Sequence, residues 1–309
     1  MITISDLNGG YGSTDYSSTV DAAVDRILAL HPDLVISAGD MVAGQRRPHL
    51  SRPEVEAMWR AFHQHVSERL AAAGIPLAVT PGNHDASGYH GFEMEREIFA
   101  AQWQPRKPAL TFVDDTAYPW NYAFALGDTL FIALDVTRVG ELEAARKEWL
   151  QTLLDRYGGS YRHRVLFSHL PLWPLAVGRE TEYSGDAELE TILREENVDL
   201  YISGHQHAFY PGFKDGTNLL GLACLGSAPR RLIGTTTTGA RSISLLEFRG
   251  DHIGLSALGA PEFTRSIPWQ SLPARIHSSA ATIERADLVQ QLLREQLPPQ
   301  PGAASVPGQ

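Results

Sequence analysis

The chain has 309 residues, 43% of them hydrophobic and 20% charged, with a formal net charge of -10. Its length bounds it to one large or two small domains with a sizeable core. The acidic balance argues against general nucleic-acid binding, which needs a basic face, but bound cations would still let it take a phosphate.

The single cysteine, Cys224, sits in an apolar run and reads as a small buried side chain, so no intrachain disulfide forms. No basic, apolar leader precedes the first motif, and no apolar run reaches membrane-spanning length. These features lead to an expectation of a cytoplasmic protein without a membrane partner.

The elements alternate through the first two thirds. A strand is expected over residues 2–4 and a helix over 18–30, with Val20, Ala23, Val24, Ile27 and Leu28 on one face. A buried strand comes next over 33–38 (DLVISA), then a helix over 53–73 and a strand over 76–80. This βαβαβ rhythm calls for parallel strands with helices on the faces. Residues 86–118 interrupt it as a long excursion with a helix over 92–103, read as an insertion over the site. Strands over 122–126 and 129–135 flank Gly127-Asp128, a hairpin signal. After them come a helix over 142–157, a strand over 164–168, a helix over 186–196 and a strand over 199–203.

After Gly204, strands over 219–225, 242–248 and 252–257 are expected to form an antiparallel second sheet. Residues 261–297 are read as a C-terminal extension with a helix over 283–297. The segment 298–309 (PPQPGAASVPGQ) has the composition of a disordered tail.

The chemistry lies at the strand ends. Asp6, Asp40, Asn83, His169 and His205 each follow an apolar strand and open a loop, where open α/β sheets bind ligands. Gly39, Gly82 and Gly204 are expected to turn the backbone sharply there. The donors are oxygens and imidazoles without a thiolate, which suits manganese, iron, zinc or magnesium. Two neighbouring cations need a bridging carboxylate, and Asp40 is the central acid of the set.

With these blocks in this order, residues 1–257 resemble the calcineurin-like metallophosphoesterases. Gly82-Asn83-His84-Asp85 and Gly204-His205-Gln206-His207 carry the resemblance most strongly. It implies a four-layer α/β/β/α fold, two stacked mixed sheets flanked by helices, within a domain over 1–260. It implies Asp6 and His207 on one metal, Asp40 as bridge, and Asn83, His169 and His205 on a second, the ions being manganese or iron with zinc or magnesium as alternatives. His84 would contact the phosphoryl oxygens or protonate the leaving group, and Asp85 could orient its imidazole or serve the loop.

The departure is Asn8. The family has Asp-x-His in this block; branches such as purple acid phosphatases omit that histidine and supply a tyrosine three residues after the bridging aspartate, where this chain has Ala43. Asn8 is therefore a fourth donor, an outer support or a turn residue.

Substrate contacts are sought in the surrounding loops: Tyr11, His90, Arg230 and Arg231 first, with Tyr89, Arg96, Trp173, Phe209 and Tyr210 behind them. An arginine there could clamp a phosphate oxygen. The implied reaction is metal-dependent hydrolysis of a small-molecule phosphate ester through a metal-activated water. A phosphodiesterase is favoured by analogy; a phosphomonoesterase, a protein Ser/Thr phosphatase and a non-catalytic metal-binding scaffold are the alternatives. Oligomeric state leaves no mark in the sequence.

Overall fold

A computed structural model describes residues 1–289. Two mixed sheets stack face to face, each with helices on its outer side. The first has six strands in the order Arg265–Ser266, His252–Gly259, Ser242–Arg249, Ile2–Ile4, Val35–Ser37 and Leu77–Val79. Its last three are parallel to one another. The second has nine, in the order Arg275–His277, Thr282–Arg285, Tyr210–Lys214, Thr217–Gly221, Leu200–Ser203, His163–Ser168, Thr129–Ala133, Asn121–Leu126 and Thr111–Ala117.

The central strands are apolar on both faces because both are covered. In His163–Ser168, Val165 and Phe167 point between the sheets while Leu166 faces the outer helices. The inner layer holds Ile36, Phe124, Phe131, Ile202 and Leu220. Helices Ser18–Leu30, Arg52–Phe62 and Glu93–Trp103 cover the first sheet through Val24, Trp59, Phe62, Phe99 and Trp103. Helices Ala144–Tyr157 and Ala187–Glu195 cover the second through Leu150, Leu154, Leu189 and Leu193.

Four expectations change. The helix over 53–73 is broken by a π turn at His63–Ser67, where buried His63 bonds Ser67 Oγ at 2.6 Å. The late strands do not form a sheet of their own. Thr217–Gly221 runs parallel to Leu200–Ser203, whereas Ser242–Arg249 joins the other sheet beside Ile2–Ile4. The excursion over 86–118 is partly scaffold: Glu93–Trp103 packs on the first sheet, and Thr111–Ala117 is an edge strand of the second. Finally, Thr282–Arg285 is a strand, bonded to Arg275–His277 and Tyr210–Lys214, where the 283–297 helix was expected to begin. An open strand edge outweighed its helical apolar spacing. Residues 261–285 thus belong to both sheets rather than to an appended extension. Residues 286–289 are helical as expected; residues 290–297 of that expected helix, and the 298–309 tail, lie outside the described residues. No helix of the described residues is long and apolar enough to cross a membrane.

The sheets are also tied by polar bonds. Leu77–Val79 is an edge strand, and Tyr122 reaches across from the second sheet to satisfy it. Its hydroxyl donates to the Val79 carbonyl at 2.6 Å and accepts from the Val79 N–H at 2.9 Å. Thr80 Oγ1 adds a bond to the Leu134 carbonyl at 3.0 Å. Tyr122→Phe strands two buried backbone groups and should cost about 2–3 kcal/mol in urea unfolding; a loss below about 0.5 kcal/mol would show that the tie contributes little.

Candidate metal centre

The parallel strands of both sheets end at one place. The first sheet brings Asp6, Asp40, Asn83 and His84, and the second brings His169, His205 and His207. Asp6, Asp40 and His169 are at most 1% exposed. Asp6, Asp40, His205 and His207 all adopt left-handed backbone, with φ of 54°, 54°, 65° and 53°. Such angles cost non-glycine residues on the order of 1 kcal/mol or more each, and they concentrate where function requires them.

Two of the three glycines serve close approach rather than sharp turning. A Cβ on Gly82 would lie 2.1 Å from Asp40 Oδ1, and one on Gly204 would lie 1.9 Å from Ser5 Oγ. Only Gly39 has a positive φ, of 91°.

The ring nitrogens are assigned by their partners. A carbonyl can only accept, so His169 Nδ1 donates to Ala38 at 2.7 Å and His207 Nδ1 donates to Ala228 at 2.9 Å. His205 Nε2 pairs with the Glu182 carboxylate at 3.0 Å. In the neutral rings the remaining nitrogens therefore turn lone pairs inward. His169 Nε2 stands 2.9 Å from Asn83 Oδ1, 3.2 Å from His205 Nδ1 and 3.3 Å from Asp40 Oδ2. His207 Nε2 stands 3.1 Å from Asp6 Oδ1, a buried oxygen without a hydrogen-bond donor.

Acceptors gathered in this way need a positive charge among them. Separations near 3 Å are those of donors around one ion with bonds of about 2.1 Å. Asp40, His169 and His205 each offer an atom within a single group 4.8 Å across. The protonation equilibria carry the same sign. Burial opposes charge on His169, but Asp40 outweighs it and lifts the imidazole to about 9. Burial likewise opposes charge on Asp40, yet His169 and then His84 hold its carboxyl well below the usual range. Asp6 and His207 shift towards their charged forms in the same manner, each through the other and against burial. His205, beside His169, is instead pushed down to about 4, mainly by burial. The donor set fits two cations, one at Asp40, Asn83, His169 and His205 and one at Asp6, Asp40 and His207.

A family model described as calcineurin-like phosphoesterase matches residues 2–209. The chain belongs to the calcineurin-like phosphoesterases. It is therefore a phosphoric ester hydrolase with a dinuclear metal centre. Among its relatives is the bovine (Bos taurus) serine/threonine-protein phosphatase CPPED1, 25% identical over 250 residues that cover 76% of this chain and 72% of that protein. Similar solved structures include purple acid phosphatase PPD1 from yellow lupin (Lupinus luteus) seeds, with a TM-score of 0.63 and 16% identity over 84% of this chain and 51% of that one. A dimetal phosphatase from Danio rerio gives a TM-score of 0.61 and 15% identity over 92% and 98%. Both share the fold.

Two metallophosphoesterase motif residues bond within the scaffold, one of the roles left open for each. The Ser227 hydroxyl shares its hydrogen between Asn8 Oδ1 and the Asn8 carbonyl, the latter at 3.1 Å. Asp85 does not orient His84. Its Oδ1 accepts from Met41 N–H at 2.8 Å and Val42 N–H at 2.9 Å, and its Oδ2 from Gly82 N–H at 2.9 Å. Asp85 thus clamps the loop after Asp40 to the loop of Asn83. The His84 imidazole is set instead by Nδ1–H donating to the Gly44 carbonyl at 2.9 Å, and its backbone N–H bonds Asp40 Oδ1 at 2.9 Å.

Of the expected substrate residues, Tyr11 lies against His84 with ring centroids 5.3 Å apart. Arg230 N–H bonds the His207 carbonyl at 3.2 Å, and Arg230 Nε is buried without a partner. His90 is fully exposed and paired with Glu93 at 2.8 Å. Arg231 is exposed on a bridge to Thr238 and makes no hydrogen bond or ion pair with the metal-site side chains among the described residues. Arg96 is structural, paired with Asp135 at 2.7 Å and lying 4.0 Å over the Trp120 ring. Tyr210 donates to the Pro273 carbonyl at 3.2 Å. Trp173 packs under the Lys214 ammonium, 4.4 Å from its ring centroid, and Phe209 is buried between the sheets.

Two supports escaped the sequence reading. Glu182, itself ion-paired with Arg179, fixes His205; burial opposes its charge, but His205 and Arg179 hold it at about 2. Gln45 Oε1 accepts from Asn83 Nδ2 at 2.6 Å and so aims the Asn83 oxygen at His169. Buried Glu95 in turn accepts the Gln45 N–H at 3.0 Å.

Glu182→Gln should weaken metal binding about 10–100-fold while leaving the fold intact, read by titration of metal-stripped protein; unchanged affinity would remove Glu182 from the support of His205. Burial raises Glu95 to about 7 against the Gln45 N–H bond. A raised carboxyl pKa adds stability that is complete below the unfolded value of 4.5 and is lost as pH climbs through 7. Glu95→Gln should therefore flatten the fall in unfolding free energy between pH 5 and 8, a fall of up to about 3 kcal/mol. An unchanged slope in the variant would place the titration elsewhere.

Proposed function

We propose that the enzyme hydrolyses phosphate monoesters at a centre formed by Asp6, Asp40, Asn83, His169, His205 and His207, with His84 as proton donor to the leaving oxygen. The observation that carries this reading is the convergence of donor-free acceptors around His169 Nε2 and Asp6 Oδ1, with His84 fixed beside them. Oxygen and imidazole donors without thiolate favour manganese or iron, with zinc or magnesium next. Bound there, two cations supply positive charge for the phosphoryl oxygens and acidify a water for attack.

The chain's own groups do the rest. The Gly44 carbonyl holds the proton of His84 on Nδ1, which leaves Nε2 to hand a second proton to the departing oxygen and return to neutral. Asp40 fixes this histidine through the backbone N–H of residue 84. Arg230, adjoining His207 and with its Nε unpartnered, is suited to the extra negative charge that a monoester carries over a diester. The bovine relative and both solved neighbours are named phosphatases, which supports the monoester over the diester that the sequence favoured by analogy.

Metal-stripped protein supplied with Mn²⁺ should turn over p-nitrophenyl phosphate faster than bis-p-nitrophenyl phosphate. His84→Ala should lower kcat about 100-fold or more with bound metal unchanged. A preference for the diester would overturn the monoester assignment, and near-normal turnover by His84→Ala would remove the histidine from proton transfer.

A further inference from the structure

The exposed large apolar side chains of the described residues are Tyr11 at 59%, Tyr89 at 42% and Val139 at 40%. Scattered singly, such residues are ordinary. Here they gather. Tyr11 and Tyr89 line one open cleft of about 850 Å³, with Phe92 at its wall. Val139 N–H bonds the Tyr89 hydroxyl at 3.3 Å.

Arg46 and Arg47 line the same cleft and are exposed. Neither is ion-paired among the described residues, although the chain carries a net charge of -10. Arg47 lies 5.3 Å over the Phe92 ring, and its guanidinium reaches a protein acceptor, the His90 carbonyl, only at 3.5 Å. Both cations are thus available to a ligand.

The cleft opens beside the metal centre and is anchored to it at two points. Tyr11 packs on His84, the proposed proton donor. Gln45, which holds Asn83, is the residue before Arg46. Gln45 itself is fixed by Glu95 at its N–H and by Ser87 Oγ, which accepts from Nε2 at 3.0 Å. The two arginines are therefore set at the end of a rooted segment rather than on a free loop.

We infer that this cleft receives the leaving-group half of the substrate, and that the substrate is a phosphate ester whose leaving group carries a planar ring and, beyond it, a second anionic group. The ring stacks on Tyr11 and Tyr89. The far anion meets Arg46 and Arg47, whose forked donors match phosphate or carboxylate. The volume fits a ligand the size of a nucleotide. This assignment rests on the reading of His84 as donor, because the group it protonates must lie on its side of the site.

The test uses the metal-loaded full chain with two probes, a nucleoside 3′,5′-bisphosphate and p-nitrophenyl phosphate. The variants are Arg46→Ala with Arg47→Ala together, and Tyr89→Ala alone, each checked for unchanged circular dichroism. In both, kcat/KM for the bisphosphate should fall at least about tenfold, while in the double arginine variant that for p-nitrophenyl phosphate, which has the ring but no second anion, changes less than about twofold. Equal losses on both probes in the double arginine variant, no loss on the bisphosphate in either variant, or wild-type turnover of p-nitrophenyl phosphate alone would overturn the proposal. If the wild type hydrolyses neither, the hydrolytic reading fails first, and calorimetric titration of the bisphosphate decides the cleft separately. Weaker binding by the double arginine variant sustains the cleft assignment, and equal or absent binding ends it.

Discussion

The structure depends on holding two carboxylates, an amide oxygen and three imidazoles together in a buried place, where backbone N–H groups of His84 and His205 satisfy one oxygen of each carboxylate. Asp6, Asp40, Asn83 and three imidazoles point lone pairs at one another across distances near 3 Å, in a pocket that solvent hardly reaches. Bringing such groups out of water is unfavourable unless positive charge joins them. The scaffold therefore has to supply the force of assembly, and the centre stores rather than contributes stability.

How the scaffold does this is visible in its backbone. Four metal-site residues sit in left-handed conformations, and Gly82 and Gly204 allow main chain from neighbouring loops to come within contact of Asp40 and Ser5. Carbonyls of Ala38, Gly44 and Ala228 fix three imidazoles by their outer nitrogens. One of these bonds, from His169 to Ala38, links the second sheet to the first at the site itself. Tyr122 and Thr80 make similar links below it. The inter-sheet core and these polar ties hold the two sets of strand ends in register, so the ligands approach each other as parts of rigid bodies.

Much of this was legible because strand ends leave local marks. An apolar run that ends in Gly-Asp or Gly-Asn-His states both where the strand stops and which side chain it delivers. Adjacency alone left Asp85 between two roles. Asp85 comes directly after His84 in the chain, but on a helical turn consecutive side chains diverge by about 100°, so Asp85 meets the N–H groups of Met41, Val42 and Gly82 instead. Glu182 leaves no trace, since it reaches His205 from a loop 23 residues away. Thr282–Arg285 has helix-compatible spacing and becomes a strand because Tyr210–Lys214 presents an edge to it. Local pattern finds what a residue does to its own segment; a partner brought by the fold is found only in the fold.

At Asn8, where the family's Asp-x-His block has its histidine, the chain has a tie between segments. A histidine there would offer a ring nitrogen to the ion beside Asp6. The amide oxygen of Asn8 is engaged by Ser227, which stands beside Gly226, a residue so close beneath the main chain that a Cβ there would lie 1.9 Å from the Leu7 carbonyl. The side chain thus joins the first strand's loop to the segment that carries Ala228, the carbonyl partner of His207. Asn8 reaches the Asp6 side through His207's support, and on the proposed ligand set the two halves of the centre are unequal: four protein donors would serve the His169 side, whereas the Asp6 side would share Asp40 and add only Asp6 and His207. An ion held by fewer protein donors keeps more of its coordination for solvent and substrate oxygen. With cations held as proposed, the more open coordination would fall on the side where Arg230 adjoins His207.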